Sequence, residues 1–556
     1  MLTRPELHIL SDFNVSILAS SLRKNLEAKY YIPESPFGQV LQQINKPENY
    51  SSNCSLLIWT RPEKIISFFN DLINYKKVPF TKIHAELDRF KSQLLKLSKQ
   101  CKSVFLPKWS IPATNHQYGL LDWSPGFGVR NALAQMNISI SELMELQQNI
   151  YILETDKWFQ NINSGALSPK MEYVTKVPYK NEVFHRAAED ISGFISCIDG
   201  NLKKVVVLDL DNTLWGGVIG DDGLNNIRLG GHDYIGEAFA DFQHCLLALY
   251  RRGVLLAIAS KNNENTALEV IDTHPEMILK RKHFSGWKIN WDDKAKNIDL
   301  LAQELNLGID AFVFIDDNPV ERDRVSKALP KVLVPDWPSD PCKYSIALKA
   351  MTCFDQAQIS QEDYDRGVMS REEKKRQVSN LHLDNYEEWL VSLDTAIEAE
   401  PLNSKNIQRI AQLYNKTNQF NLSTRRLTSG EIEKWYGHKD RHLWALRVKD
   451  KFGNLGLTGV IGFELAEGIS KVDDMILSCR VMGRKIEEVM LHIASKISQE
   501  NGSDKLIMCY KKTDRNSPCL ESLNKTMLKK IEEDKFMWDC TQAYPCPNSI
   551  NVNMLG

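Results

Sequence analysis

Short apolar runs alternate with longer amphipathic stretches through the first 170 residues. LHIL (7–10), SLLIWT (55–60) and KSVFLP (102–107) lack polar alternation and predict strands buried on both faces. Between them, 78–100 and 129–148 predict helices, so this region is expected to form a parallel α/β sheet. The pattern repeats more cleanly over 201–335. KVVVL (204–208) leads into a Gly-rich loop, a helix near 236–251 and the strand VLLAIA (254–259). A helix near 295–306, the strand AFVFI (311–315) and a last run KVLVP (331–335) complete a doubly wound sheet. In the third region, over 380–530, helical QRIAQLY (408–414) precedes the strands HLWALRVKD, LTGVIGFEL and VDDMILSC (472–479), and a helix follows from about 484 to 499.

These patterns divide the chain into an α/β domain at 1–170, a Rossmann-like domain at 171–354 and an α+β domain at 379–556. Residues 355–378, FDQAQISQEDYDRGVMSREEKKRQ, are polar and highly charged, and predict a linker or exposed helix. The tail after 525 is charged and then irregular, and its role is open.

Composition narrows the class of protein. A 43% hydrophobic, 25% charged chain is that of an ordinary globular protein, and a net charge of -2 argues against a broadly basic nucleic-acid binder. Eleven scattered cysteines, without a C-x-x-C pair, fit free thiols in a reduced compartment better than disulfides or a zinc site. Neither a signal-peptide core nor a membrane-length apolar run is present, so a cytoplasmic protein is expected.

Candidate chemistry gathers at predicted strand ends. Asp209-Leu210-Asp211-Asn212-Thr213 follows the first strand of the central domain, Ser260-Lys261-Asn262 the second, and Asp316-Asp317-Asn318-Pro319 the strand AFVFI. Lys294 stands just before a helix, in Asn290-Trp291-Asp292-Asp293-Lys294. Either acidic motif alone could be a solvated turn or a helix cap. Four such elements in order on one sheet edge point to a phosphate site. So many carboxylates coexist only with a divalent cation or shared protons, and Mg2+ suits oxygen ligands next to phosphate. The series resembles the HAD superfamily. That resemblance implies Asp209 as nucleophile at phosphorus and Asp211 as the acid that protonates the leaving oxygen and then activates water. It also implies Thr213, Ser260, Lys261 and Lys294 at the phosphate, and Asp209, Asp211, Asp316 and Asp317 at the metal. The 215–253 segment is too short for a large cap, so an open site is expected.

Further on, Ser478-Cys479-Arg480-Val481-Met482-Gly483-Arg484-Lys485 lies at a strand-to-helix junction. Acetyltransferases of the GNAT type place a [QR]-x-x-G-x-[GA] loop there, which binds the pyrophosphate of coenzyme A. Arg480 and Gly483 match it, while Lys485 replaces the small residue. The single phosphate of a phosphopantetheine arm is therefore the expected ligand of Arg480, Gly483, Arg484 and Lys485. A thiol among these cations should have a lowered pKa, although a small buried strand cysteine is the plainer alternative. The polar stretch 412–426, QLYNKTNQFNLSTRR, reads as a pocket lining, a hydrogen-bonded loop or a solvated helix end.

Taken together, LDLDNTLWGGVIGDDG, HPEMIL, NWDDKAKNI, FVFIDDNPVERD, QLYNKTNQFNLSTRR, DKFGNLGLTGV and SCRVMGR resemble the FkbH-like family, HAD-type glyceryl transferase/phosphatases of polyketide biosynthesis. The likeness spans about residues 1–520. It implies an uncapped HAD phosphatase domain joined to a GNAT-like acyltransferase domain. Cys479 would take the acyl group of 1,3-bisphosphoglycerate as a thioester, and Asp209 would remove the remaining phosphate. An acyl carrier protein would then receive glyceryl on its pantetheine thiol. The base that deprotonates Cys479 is not apparent. At the N-terminus, LHIL-Ser11-Asp12-Phe13-Asn14 resembles the start of an SGNH hydrolase, but Phe13 takes the nucleophile position, which implies a degenerate, non-catalytic domain used for docking. Two alternatives remain: a magnesium-dependent HAD phosphatase acting on a phosphorylated polysaccharide or other intermediate, and a scaffold with vestigial catalysis.

Overall fold

The computed structural model describes residues 4–26, 29–34, 37–111, 117–163, 165–224, 226–231, 233–356, 364, 366, 367, 369, 372, 376, 386–466, 468–513 and 515–555. The chain forms two compact units, Met1–Ile195 and Ser196–Gly556. The first therefore extends past the boundary expected at 170, because the helix Asn181–Ile198 buries Val183, Phe184, Ala187, Ile191 and Ile195.

In the first unit, β1 (Glu6–Ser11), β2 (Cys54–Trp59), β3 (Ser103–Pro107) and β4 (Ile150–Leu153) form a parallel sheet in the order β1-β2-β3-β4. Every residue of β2 and β3 is buried, as expected of apolar strands covered on both faces. The helix Phe80–Ser98 covers them with Ile83, Leu87, Phe90, Leu94 and Leu97, one stripe at helical spacing. Past the end of β1, Phe13 packs edge-on against Trp59 and Tyr179, at 5.5 and 5.4 Å between ring centroids, and is buried. Asp12 is spent on Arg61, whose Nε donates to it at 2.7 Å. A buried ring stands at the position a hydrolase would give its nucleophile.

The second unit holds two sheets. β5 (Val205–Leu208), β6 (Leu255–Ser260), β7 (Phe284–Ile289) and β8 (Phe312–Ile315) are parallel in the order β7-β6-β5-β8. The helices Tyr234–Arg251 and Lys294–Glu304 cover them close to their expected bounds. The run KVLVP, expected as a strand, makes only a single bridge, Val313 to Leu333, since Pro330 and Pro335 bracket it and break any ladder. No large insertion separates β5 from β6 among the described residues; a short helix, Ile219–Asp222, fills part of the gap.

The other sheet is mixed, with eight strands in the order β14-β15-β13-β12-β11-β10-β9-β16. Its centre is β9 (Thr395–Pro401), β10 (Arg441–Asp450), β11 (Gly453–Glu464), β12 (Gly468–Leu477) and β13 (Ser503–Cys509). The tail, open in role from its sequence, supplies β14 (Lys529–Glu532), β15 (Lys535–Asp539) and β16 (Ile550–Met554). β16 adds in parallel to β9 and so closes one edge. The helix Ile486–Glu500 packs Val489, Met490, Ile493, Ala494 and Ile497 onto the sheet.

Much of the expected linker at 355–378 lies outside the described residues. Its described part is no solvated tether. Arg376 is fully buried and donates to Asp450 through Nε and Nη2 at 2.7 and 2.9 Å, Arg366 donates to the Gly253 carbonyl at 2.9 Å, and Met369 is buried. All eleven cysteines are free. No helix among the described residues is long and apolar enough to cross a membrane.

Replacing Phe13 with Ser removes a buried ring and should destabilise the first unit by roughly 3 kcal/mol or more. We expect a lower melting transition by calorimetry and no gain of p-nitrophenyl acetate hydrolysis; a gain would mean that the position is a latent hydrolase site.

Candidate active site

Register brings the first two carboxylates together. Leu208 of β5 pairs with Ile315 of β8, and the Asp209 amide extends the ladder by donating to the Ile315 carbonyl at 3.0 Å. Asp209 and Asp316, the next residues of two adjacent parallel strands, are thus neighbours at the carboxyl edge, where strands about 4.8 Å apart leave no room between them. Asp317 joins them. One oxygen from each of Asp209, Asp316 and Asp317 lies within 4.8 Å of the others.

Lys294 offsets this charge. Its Nζ lies 2.9 Å from Asp209 Oδ1 and 2.6 Å from Asp316 Oδ2, and the whole side chain is buried. It is the first residue of its helix, which Asp293 caps by accepting from the Lys296 amide. Burial opposes the Lys294 charge, but the two carboxylates outweigh it and raise the pKa. Burial, then repulsion from Asp209, raises the pKa values of Asp316 and Asp317 despite Lys294. The cluster is an oxygen-only donor set of the kind Mg2+ takes, and Asp209, Asp316 and Asp317 are the residues that could hold it.

Asp211 belongs to a different set. Its carboxylate, expected at the metal, is turned into a cradle of donors: Trp215 Nε1 at 2.9 Å and the Ile219 amide at 3.1 Å on Oδ1, Asn262 Nδ2 at 2.9 Å on Oδ2. Burial nevertheless raises its pKa, the shift a proton donor needs. Asn262, which has no role in the expected motif, stands two residues beyond β6, and that place is its only signal in the sequence. Just after Asp211, Asn212 takes the left-handed φ of 54° and accepts from the Gly217 amide, a conformation Asn tolerates.

The remaining expected phosphate ligands divide. Thr213 Oγ1 accepts from the Asp317 amide at 3.2 Å and lies 3.3 Å from Asp317 Oδ1, so it braces the acidic loop. Ser260 is buried at the carboxyl end of β6, next to β5. Lys261 instead pairs with Glu321 at 2.7 Å, on the exposed side of the helix Pro319–Ala328.

The second predicted centre differs more from expectation. Cys479 is half-buried and opens a short turn, Cys479–Val481, after β12. The cations expected to lower its pKa are committed elsewhere. Arg484 is buried and donates to Asp450 at 3.0 Å; Lys485 pairs with Glu387; Arg480 donates to Met369 Sδ at 2.7 Å. Gly483 takes a left-handed φ of 72°, and its carbonyl accepts from the Tyr386 hydroxyl. The helix begins only at Ile486, with Glu487 and Glu488 in its first turn, so acidic side chains already satisfy its positive end. Arg484 is thus held in a buried pair that braces the fold, while Lys485 is in a solvent-exposed one. The polar stretch 412–426 is a hydrogen-bonded loop: buried Asp474 accepts from Tyr414 Oη at 2.7 Å, from Arg425 Nε at 3.0 Å and from Ser423.

Residues 204–364 match the model of the NLI interacting factor-like phosphatase family. A comparison with curated proteins gives no match. Among solved structures, the chain is similar to the N-terminal part of a Bacteroides fragilis protein, containing a phosphatase domain complexed with Mg. Identity is 28%, the match covers 64% of this chain and 96% of that one, and the TM-score is 0.57. A GNAT-family acetyltransferase from Staphylococcus aureus aligns at 13% identity over 26% of this chain and 99% of its own, with a TM-score of 0.20. Residues 204–364 thus carry a phosphatase domain of HAD type, and the carboxylate cluster lies within it.

Asn262→Ala should lower kcat for p-nitrophenyl phosphate about 10-fold, short of the ~10²–10⁴ that a general acid supplies. Losing a hydrogen bond to the charged carboxylate raises the Asp211 pKa, so the alkaline limb of the pH–kcat profile should move to higher pH. An unchanged limb would mean that Asp211 is not the titrating acid.

Proposed function

We propose that this protein loads a glyceryl unit from 1,3-bisphosphoglycerate onto an acyl carrier protein, Cys479 holding the acyl group and Asp209 removing the phosphate ester. The observation that carries this reading is one chain joining a complete acidic phosphatase cluster to a half-buried thiol on a turn that follows a strand.

In the first step the Cys479 sulfur attacks the acyl-phosphate carbonyl, the C–O bond to phosphate breaks, and a 3-phosphoglyceryl thioester forms. At the other centre, Asp209 attacks phosphorus while Asp211 protonates the leaving alkoxide oxygen. Asp211, now a base, takes a proton from the water that hydrolyses the aspartyl phosphate. Lys294, held between Asp209 and Asp316, orients the nucleophile. Mg2+ suits the Asp209, Asp316 and Asp317 carboxylates, and supplies charge neutralisation for the phosphoryl oxygens when bound.

A second reading has its own support. Since Arg484 and Lys485 are paired with Asp450 and Glu387, the thiol lacks two of the cations that would activate it. That favours a magnesium-dependent phosphatase acting on a phosphorylated polysaccharide or another intermediate.

The test is intact-mass analysis of a holo acyl carrier protein incubated with enzyme, 1,3-bisphosphoglycerate and Mg2+. Wild type should give glyceryl-carrier, Asp209→Asn phosphoglyceryl-carrier, and Cys479→Ala no acylated carrier. Phosphate release with an unmodified carrier would establish the second reading instead.

A further inference from the structure

Lys261 and Glu321 start on opposite sides of the strand that leads to Asp209. In the order β7-β6-β5-β8, Lys261 follows the end of β6, and Glu321 stands in the first turn of the helix Pro319–Ala328, just beyond β8. β5 lies between them, so the two segments leave the sheet two strand spacings apart, about 10 Å. Lys261 Nζ nevertheless reaches Glu321 Oε1 at 2.7 Å. The ion pair therefore crosses the end of β5.

The neighbours of each partner fix where the crossing lies. On one side Ser260 is buried at the end of β6, and Asn262 Nδ2 donates to Asp211 Oδ2 at 2.9 Å. On the other, Arg322 Nη1 donates to the carbonyls of Asp316 and Asp317 at 2.9 and 2.7 Å. Both ends of the pair are thus flanked by residues that hold the acidic loops. Deeper in, Lys294 is buried between Asp209 and Asp316. Lys261 keeps 40% of its side chain exposed and Glu321 16%, so their pair stands on the solvent side of the carboxylate cluster. With no large insertion between β5 and β6 among the described residues, the width of the opening is left to side chains at its rim.

We propose that the Lys261–Glu321 pair is a crossbar that makes the phosphatase site selective for slender phosphate monoesters, whose leaving oxygen ends an unbranched chain, over esters of bulky rings. An unbranched stem passes beside the bar with the pair intact, whereas a ring enters only when the pair is parted. The selectivity therefore cannot exceed the cost of parting a part-exposed ion pair, at most about 5-fold. Parting is a tax on binding, so it falls on KM and not on kcat. Lys261, expected at the phosphate from the sequence, has a different task here: it shapes the mouth. The inference needs only the phosphatase activity of residues 204–364 and goes beyond the loading reading, since it concerns the shape of the ester whatever holds its far end.

The measurement is kcat/KM of the full-length enzyme, with Mg2+, for 1-naphthyl phosphate relative to n-propyl phosphate. Lys261→Met and Glu321→Gln should each raise this ratio about 3–5-fold, through a lower KM for the naphthyl ester. The double variant should go no further than either alone, because both changes remove the same bar. Exchanging the partners, Lys261→Glu with Glu321→Lys, should return the ratio to its wild-type value. Raising NaCl from about 0.05 to about 0.5 M should lift the wild-type ratio and leave that of the double variant where it is.

A ratio that stays put in both single variants, or that the exchanged pair fails to restore, would overturn the proposal. Opposite responses to inorganic phosphate would do so too. If Lys261→Met weakens inhibition by phosphate and Glu321→Gln strengthens it, Lys261 is a phosphate ligand that Glu321 holds back, not half of a bar. A wild-type enzyme that cleaves neither ester would count against the phosphatase centre itself, and the crossbar would fall with it.

Discussion

Three carboxylates crowded at one sheet edge repel one another, and the arrangement persists because a buried ammonium sits between two of them. Lys294 reaches both Asp209 and Asp316 from the first turn of a helix whose capping residue is its own neighbour, Asp293. An unpaired charge in so buried a place would be costly, and here each charge compensates another. The rest of the phosphatase site follows from this. Thr213 braces Asp317, Arg322 holds the carbonyls of Asp316 and Asp317, and Tyr344 holds the carbonyl of Asn212.

The same helix governs the larger geometry. Its N-terminal end serves the carboxyl edge of the sheet, and the chain just past its other end meets the turn that carries Cys479. A parallel sheet has chemically distinct edges: here the carboxyl edge carries the carboxylate cluster, and contacts at the amino edge fasten the second sheet.

Around Cys479, positive charge in the sequence proved a poor guide to positive charge at the thiol. Arg484 and Lys485 lie five and six residues away along the chain, yet one is spent on Asp450 and the other on Glu387. Arg376 meets the same Asp450, so two guanidinium groups share one buried carboxylate. These cations hold the fold together. Asp474 does the same for the polar loop at 412–426, whose amides and hydroxyls looked as much like a pocket lining as a structural network.

Strand positions β1, β2, β3, β5, β6 and β8 were legible because uninterrupted apolar runs have few other places to go than a sheet covered on both sides. β7, FSGWKI, was not, since Gly286 and Lys288 break its apolar run; charge hid β14 and β15, and two Asn residues interrupt β16. The sequence alone determined which acids stand at strand ends, because a strand's end and the residue after it are local properties. Only the tertiary structure decided which of them share a cation site. Register set Asp209 beside Asp316, three donors drew the Asp211 carboxylate away, and partners distant in sequence settled what each cation near Cys479 could do. Contacts of that kind depend on positions in space that local pattern does not encode.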